Sequence, residues 1–497
     1  MSILDKRASG VLMHISSLPG KTGIGTLGTY AFRFVDYLEK YGQTYWQMLP
    51  ICPTSYGDSP YQSFSTFAGN PYFIDFEKLE ADGFLCRSDW EGVDWGDTED
   101  AVDYGTLYRE RHKVFAKVLE HFNKNIPADF ERYCAENSFW LDDYALFMAV
   151  KDANGGRAFS EWEDGIKLRS PDALSAWAQR CEKRIQYYKM LQYLFFKQWY
   201  ELKSYANRKG IKIIGDIPIY VSADSSDVWT NPRQFALKDD LSPIEVAGCP
   251  PDAFSADGQL WGNPVYDWGY HKETHYAWWK KRISECLKIY DVIRIDHFRG
   301  FDEYYCIPFG SPTARGGQWR KGPGAELFAE IKKDFGEVNI IAEDLGYLTD
   351  SVIAMLKEVG FPGMKLLQFA FDSREASNYL PYLYGHNSVV YTGTHDNDTI
   401  LGWTKSARAE DVAFAKKYLR ADSDEELREE MMCAALASVS NTCILCMQDL
   451  IGLCGKARMN VPSTVGNNWK WRALESQISD KAFEFLGCYS SLYGRRR

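Results

Sequence analysis

Three segments in the second half of the chain are built alike. Asp291-Val-Ile-Arg-Ile-Asp296, Asn339-Ile-Ile-Ala-Glu343 and Val389-Val-Tyr-Thr-Gly-Thr-His395-Asp396 are each an apolar, β-branched run that reaches a carboxylate and then breaks at glycine or polar residues. A continuous apolar run, rather than an alternating one, marks a strand buried on both faces, as in a parallel sheet. Such strands deliver their last residues to one rim of the sheet. Asp296, Glu343 and Asp396 are therefore candidates for one shared site. Two or three converging carboxylates are the equipment for breaking a glycosidic bond.

Eight segments read as buried strands: residues 10–18, 44–52, 211–221, 291–301, 339–345, 363–371, 388–394 and 443–450. Helical spacing lies between most of them, as at 30–41, 325–335 and 351–359. Alternation of this kind predicts an α/β fold, a closed (β/α)8 TIM barrel. Such a barrel needs about 250 residues, and this chain has 497. The excess is expected as large, mostly helical insertions at the C-terminal face of the strands. Residues 78–195 read as a helical subdomain between strands 2 and 3. Residues 222–290, rich in Gly, Pro, Asp and Trp, read as a loop-rich substrate-binding subdomain between strands 3 and 4. Residues 399–429 read as a helical insertion between strands 7 and 8.

Net charge is −11 with no long basic run, which argues against a nucleic-acid or anionic-membrane partner. The terminal Gly494-Arg-Arg-Arg497 reads as a short solvated tail. No apolar stretch approaches the roughly 20 residues of a membrane span, and the first residues lack a signal-peptide pattern. The 12 cysteines are scattered in apolar or helical surroundings, as small buried hydrophobes are in a reducing compartment, so cytoplasm is the expected location. Aromatics make up 15% of the chain, many beside Gly, Asp, Asn and Pro. Core packing accounts for most of them, but aromatic faces in loops also suit sugar rings.

Two motifs invite other readings. Gly23-Ile-Gly25-Thr-Leu-Gly28 has the form of a dinucleotide-binding turn, but the next strand ends without the acid that would hold a ribose. A tight loop is the simpler reading. Cys443-Ile-Leu-Cys446 has no second pair at zinc spacing and lies among apolar residues, as a buried strand would. His297, His395, Asp296, Asp396 and Asp398 contain metal-ligand types. Adjacent strand residues point to opposite faces, however, and the chain has no calcium-loop pattern. No metal and no cofactor are expected. Arg294 shares a strand face with Asp296 and is expected to lower its pKa, which suits a nucleophile. Glu343 has no basic neighbour in its own strand, and a raised pKa there would suit a general acid.

The strand-end motifs Gly215-Asp216-Ile-Pro-Ile-Tyr-Val221, Arg294-Ile-Asp296-His297, Glu343-Asp-Leu-Gly346 and Thr394-His395-Asp396-Asn397 resemble those of the α-amylase clan. Within it, the chain resembles the amylomaltases, the 4-α-glucanotransferases also called disproportionating enzymes. Ser9-Gly-Val-Leu-Met-His14, Tyr56-Gly-Asp-Ser-Pro-Tyr61, the loop 250–264 and Arg458-Met-Asn460 carry the narrower likeness, which runs in consistent order from about residue 7 to residue 472. The resemblance implies a retaining double displacement on α-1,4-glucans. It makes Asp296 the nucleophile, Glu343 the acid/base and Asp396 the stabiliser of the transition state. It places Tyr61, Asp216, Arg294, His297 and His395 around the donor sugar, Asp252 and Trp261 toward the leaving or acceptor glucan, and Tyr56 at an outer groove. Cys249, where the family more often has an aliphatic residue, and Ser463, where Gly is usual, are small departures.

The expected partners are maltooligosaccharides, amylose, glycogen or starch, with glucose as an acceptor. The triad alone does not choose transfer over hydrolysis, so an α-amylase-type hydrolase is the alternative. A carbohydrate-binding protein without catalysis conflicts with three intact carboxylates. A dehydrogenase conflicts with the missing ribose-binding acid.

Overall fold

A computed structural model describes residues 2–55, 57–96, 98–251, 256–346 and 348–497. Eight parallel strands close a barrel in simple sequential order. They are Ala8–Leu12, Tyr45–Gln47, Lys212–Pro218, Val292–Asp296, Ile340–Ala342, Gly363–Leu366, Ser388–Tyr391 and Thr442–Cys446. The first strand pairs with the eighth from Ala8↔Thr442 to Leu12↔Cys446, which closes the ring. The chain is thus the (β/α)8 barrel that its apolar runs predict.

Most of the strands are shorter than those runs. The first is followed by the 3-10 turn Ile15–Ser17, the fourth by Phe298–Phe301, the sixth by Leu367–Phe369 and the eighth by the helix Met447–Leu450. The reason is local. At the C-terminal rim the backbone leaves the sheet, while the side chains still pack beneath the segments above. Cys443 and Cys446 lie buried on the eighth strand, and all 12 cysteines are free thiols.

Between the second and third strands the chain is helical, ending in the long helix Glu182–Arg208. Two glutamines on it fix the segment that follows the second strand. Gln192 accepts from the Gly69 N–H at 2.7 Å and donates to its carbonyl at 2.9 Å. Gln198 treats Asp75 the same way, at 2.8 and 3.1 Å. The segment 222–290, read from sequence as loops, supplies half of a four-stranded antiparallel sheet. Its strands, in spatial order, are Gln259–Pro264, Glu245–Cys249, Glu303–Pro308 and Gln318–Lys321. The last two come from beyond the fourth barrel strand. The same stretch also contains the barrel helix Ala277–Ile289.

The glycine motif is a packing device. A Cβ on Gly25 would overlap the Ile15 carbonyl, and one on Gly28 would overlap the Asp75 carboxylate. That carboxylate accepts from Thr26 Oγ1 at 2.6 Å and from the Lys78 N–H at 3.0 Å. An anion already holds the turn.

The basic tail departs from expectation. Arg495 is 0% exposed. It donates to the carbonyls of Ala8 (3.0 Å), Leu436 (2.6 Å), Ser438 (3.1 Å), Ser440 (2.9 Å) and Asn441 (3.1 Å). Arg497 donates to the Lys209 carbonyl. Counting charges in the sequence cannot reveal carbonyls that converge only in the fold. No helix among the described residues is long and apolar enough to cross a membrane.

Candidate active site

Register assembles the site. Asp216 on the third strand pairs with Arg294 on the fourth, and Pro218 pairs with Asp296. On the other side Ile295 pairs with Ala342, the residue before Glu343. Residues two apart share a strand face, so Arg294 and Asp296 project together beside Asp216. Arg294 bridges the two: Nη1 donates to Asp216 Oδ2 at 2.5 Å and Nη2 to Asp296 Oδ1 at 3.1 Å. Tyr61 adds its hydroxyl to Asp216 Oδ2 at 2.8 Å. Tyr61 is placed by its segment, in which Asp227 receives both the N–H and the hydroxyl of Thr66, at 2.8 and 2.9 Å.

Glu343 is held differently. Its Oε2 accepts from the His297 N–H at 2.7 Å and its Oε1 from the Leu345 N–H at 2.8 Å. His297 presents that N–H from a left-handed backbone, φ 53°. A non-glycine residue in this region costs about 1–3 kcal/mol, and such strain is retained where the surroundings impose it. Asp344 faces away and accepts from the Met364 N–H at 2.6 Å at the start of the sixth strand.

Asp396 follows the seventh strand. Its Oδ1 accepts from Asn460 Nδ2 at 2.6 Å, and its carbonyl accepts from Arg458 at 2.5 Å. His395 Nε2 stands 3.4 Å from Asp396 Oδ2. The His395 ring lies nearly parallel to that of Tyr61, with centroids 5.1 Å apart. Trp261, on the antiparallel sheet, sets its ring against His297 at 4.9 Å, edge to face.

Electrostatics correct one expectation. Burial pushes the Asp296 carboxyl well above its ordinary range. Arg294 opposes that rise, while Glu343, Asp216 and Asp396 add to it. The guanidinium lowers this pKa as the sequence suggests, but it does not outweigh burial and three other carboxylates. The side chain keeps 30% exposure to the cleft, so water moderates the rise. Burial also pushes Glu343 up, against Arg294 and its two backbone donors. Arg294 therefore acts on both acids, not on Asp296 alone. Burial holds His395 below its ordinary value and takes His297 down to about 3. Both rings are neutral at pH 7.

A family model described as 4-alpha-glucanotransferase matches residues 13–476. The chain belongs to the 4-alpha-glucanotransferase family. It is 48% identical over 485 residues to the 4-alpha-glucanotransferase of Clostridium butyricum, covering 97% of this chain and 100% of that one. It is 43% identical over 485 residues to that of Thermus thermophilus, covering 95% and 96%. Among solved structures, the amylomaltase from Streptococcus agalactiae in complex with acarbose matches with a TM-score of 0.97 and 46% identity, covering 99% and 100%. An amylomaltase from Corynebacterium glutamicum, at 19% identity and a TM-score of 0.76, covering 98% and 75%, shares the fold.

In this member of the 4-alpha-glucanotransferase family, Asp296, Glu343, Asp216, Arg294, Tyr61, His297, His395, Asp396 and Trp261 gather at the C-terminal rim. Tyr56 and Asp252 lie outside the described residues. Asn460 and Arg458 stand in the narrower signature, yet their grip on Asp396 is not legible from it. Ser463 has φ 63°. That conformation is easy for glycine and costly for serine.

Proposed function

We propose that the chain transfers α-1,4-glucan segments to the 4-hydroxyl of another glucan or of glucose, by a retaining double displacement. The carrying observation is the pair Asp296 and Glu343. They stand at the C-terminal ends of neighbouring strands at matched height, one hydrogen-bonded to a permanent cation and the other to two neutral amides. Membership of the family, and the acarbose complex of the Streptococcus agalactiae amylomaltase, support an α-glucan as the occupant.

In the first step an Asp296 oxygen attacks the anomeric carbon. The glycosidic C–O bond breaks, and the leaving oxygen takes a proton from Glu343. A β-glucosyl ester on Asp296 remains. In the second step Glu343, now a carboxylate, takes the proton of the acceptor 4-hydroxyl as that oxygen attacks the same carbon. The ester bond breaks and Asp296 leaves as an anion. Two inversions give net retention. Arg294 favours the ionised nucleophile against the rise that burial imposes, and Asp396 binds sugar hydroxyls as positive charge develops on the ring. Asp216 Oδ1 and His297 Nε2 are buried with no protein partner among the described residues, which leaves hydrogen-bonding capacity for a donor sugar. Tyr61, His395 and Trp261 supply ring faces and edges along the cleft. The segment carrying Tyr61 meets the sheet carrying Trp261 through Gln62 Nε2 and Asn263 Oδ1 at 3.0 Å.

Incubation with maltotriose tests the reading. Glucose together with oligomers longer than the starting material is the expected outcome. Maltose and glucose without chain growth would instead make the chain a hydrolase. Asp296→Asn is expected to lower turnover by about 10⁴-fold or more while glucan binding persists, as for other essential catalytic groups. Retention of substantial turnover would remove Asp296 from the nucleophile's role.

A further inference from the structure

Asp449 lies outside the set above. It sits in the short helix Met447–Leu450 after the eighth barrel strand and is 2% exposed. Its two carboxylate oxygens reach two separate points of the chain. Oδ2 accepts from Thr392 Oγ1 at 2.9 Å, and Oδ1 accepts from the Ile400 N–H at 2.8 Å. Thr392 is the first residue beyond the seventh strand, Ser388–Tyr391, and Ile400 is the first of the helix Ile400–Ser406. Residues 393–399 run between them and carry His395 and Asp396. One side chain from the short helix after the neighbouring strand thus ties both ends of the segment that presents Asp396.

Other contacts also hold the segment: the Gln368 N–H donates to the Thr392 carbonyl at 3.1 Å, Cys446 Sγ to the Gly393 carbonyl at 3.1 Å and the Asn460 N–H to the His395 carbonyl at 3.0 Å. Gln368 Nε2 donates to the Asp398 carbonyl at 2.7 Å, while Asn460 and Arg458 grip Asp396 itself. Arg428 Nη1 donates to the Asp449 carbonyl at 2.8 Å, which fixes the backbone from which the carboxylate reaches out. An apolar side chain would fill the space, but it would leave the Ile400 N–H without its acceptor. A buried carboxylate placed between two loop ends is a geometric constraint, and burial carries its pKa up to about 6.

We propose that Asp449 is a positioning residue for glycosyl transfer, holding Asp396 in register with Asp296 and Glu343 by tying Thr392 to Ile400. The inference rests on the reading of Asp396 as the group that binds sugar hydroxyls in the transition state. Asp449 touches no sugar, so its effect passes through the loop. A misplacement of about 1 Å at a catalytic group can cost about 100-fold in rate.

The experiment compares kcat and KM on maltotriose, and the thermal midpoint, for Asp449→Ala, Asp449→Asn, Thr392→Val and Asp396→Asn. Asparagine keeps an acceptor for Ile400, and its amide can donate to Thr392 Oγ1 once that hydroxyl turns. Asp449→Ala is expected to lower kcat about 10- to 100-fold with KM changed less than about 3-fold, the pattern of a contact realised in the transition state. Asp449→Asn is expected to restore most of kcat. Thr392→Val, which cuts one tie only, is expected to fall between them. A kcat within about 2-fold of the parent in both Asp449→Ala and Thr392→Val, with only the midpoint lowered, would reduce Asp449 to packing. Asn performing no better than Ala would overturn the hydrogen-bonded tie. Should Asp449→Ala fail to fold, Thr392→Val and Asp449→Asn decide the matter by the same criteria. Asp396→Asn separates the two levels: if it stays active, the role given to Asp396 falls; if it is inactive while Thr392→Val and Asp449→Ala are normal, only the positioning falls.

Discussion

At the scale of the residue, the two acids work as one titrating unit. The active form carries one proton, on Glu343, with Asp296 ionised. Burial raises both groups, and losing the last proton sets two neighbouring anions in a partly buried cleft. The singly protonated pair therefore persists to higher pH than free carboxyls near 4 would allow. The expected kcat/KM profile is a bell whose high-pH limb lies above the ordinary carboxyl range. Glu343→Gln, assayed with α-maltosyl fluoride so that the leaving group needs no proton, is expected to lose that limb. Its low-pH limb should stay where it was, because Asp296 then titrates beside a neutral amide much as it does beside a neutral acid. A high-pH limb that survives in Glu343→Gln would assign that proton elsewhere. Much of this site was legible in the sequence because buried strands carry their end residues into view. The balance of forces on Asp296 was not. It depends on Asp216 and Asp396, 80 and 100 positions away in the chain, and on a depth of burial that no local pattern encodes.

At the scale of the element, the helix Glu182–Arg208 acts on the site from a distance. Gln192 satisfies both backbone groups of Gly69, in the segment that also carries Tyr61. Gln192→Ala removes both partners from buried groups, at about 1–3 kcal/mol each. The thermal midpoint is expected to fall by several degrees, and kcat/KM on maltotriose by several-fold as the Tyr61 segment loosens. An unchanged midpoint would mean that water replaces the glutamine at no cost. The helix itself is readable from its spacing, whereas its two clamps are ordinary polar residues on a long helix until the fold brings Gly69 and Asp75 beneath them. The antiparallel sheet escaped the sequence for a different reason. Its strands come from two stretches separated by a barrel helix and a barrel strand, and Gln318–Lys321 is exposed at every position, so no alternation between a buried and a solvated face marks it.

At the scale of the whole molecule, the barrel is a ring that must be closed, and the closure is where the basic tail belongs. The first and eighth strands meet at Ala8↔Thr442. Carbonyls from the end of the helix Asp424–Ala437 and from the following turn converge beneath that seam. Arg7 donates to the Ser438 carbonyl at 2.7 Å and that of Leu436 at 3.0 Å, and Arg495 donates to the same two at 3.1 and 2.6 Å. Carbonyls at a helix C-terminus carry partial negative charge, which lets two guanidinium groups share one small region. Burial lowers the pKa of Arg495 to about 10, so it remains charged at neutral pH. Arg495→Ala leaves the seam carbonyls of both strands without that donor. Hydrogen bonds to a charged group contribute about 1.5–3 kcal/mol each, but water that enters the gap recovers part of this, so a net loss of about 3–5 kcal/mol is expected. Arg495→Lys, a point charge with fewer donors and no planar fork, should recover only part of it. The measurement is the thermal midpoint together with kcat on maltotriose at a temperature well below it. Because the seam lies at the N-terminal end of the strands, opposite the rim that carries Asp296, Glu343 and Asp396, the midpoint should fall while kcat holds. An Arg495→Ala protein with the parent's midpoint would return this arginine to the solvated tail that its sequence suggests.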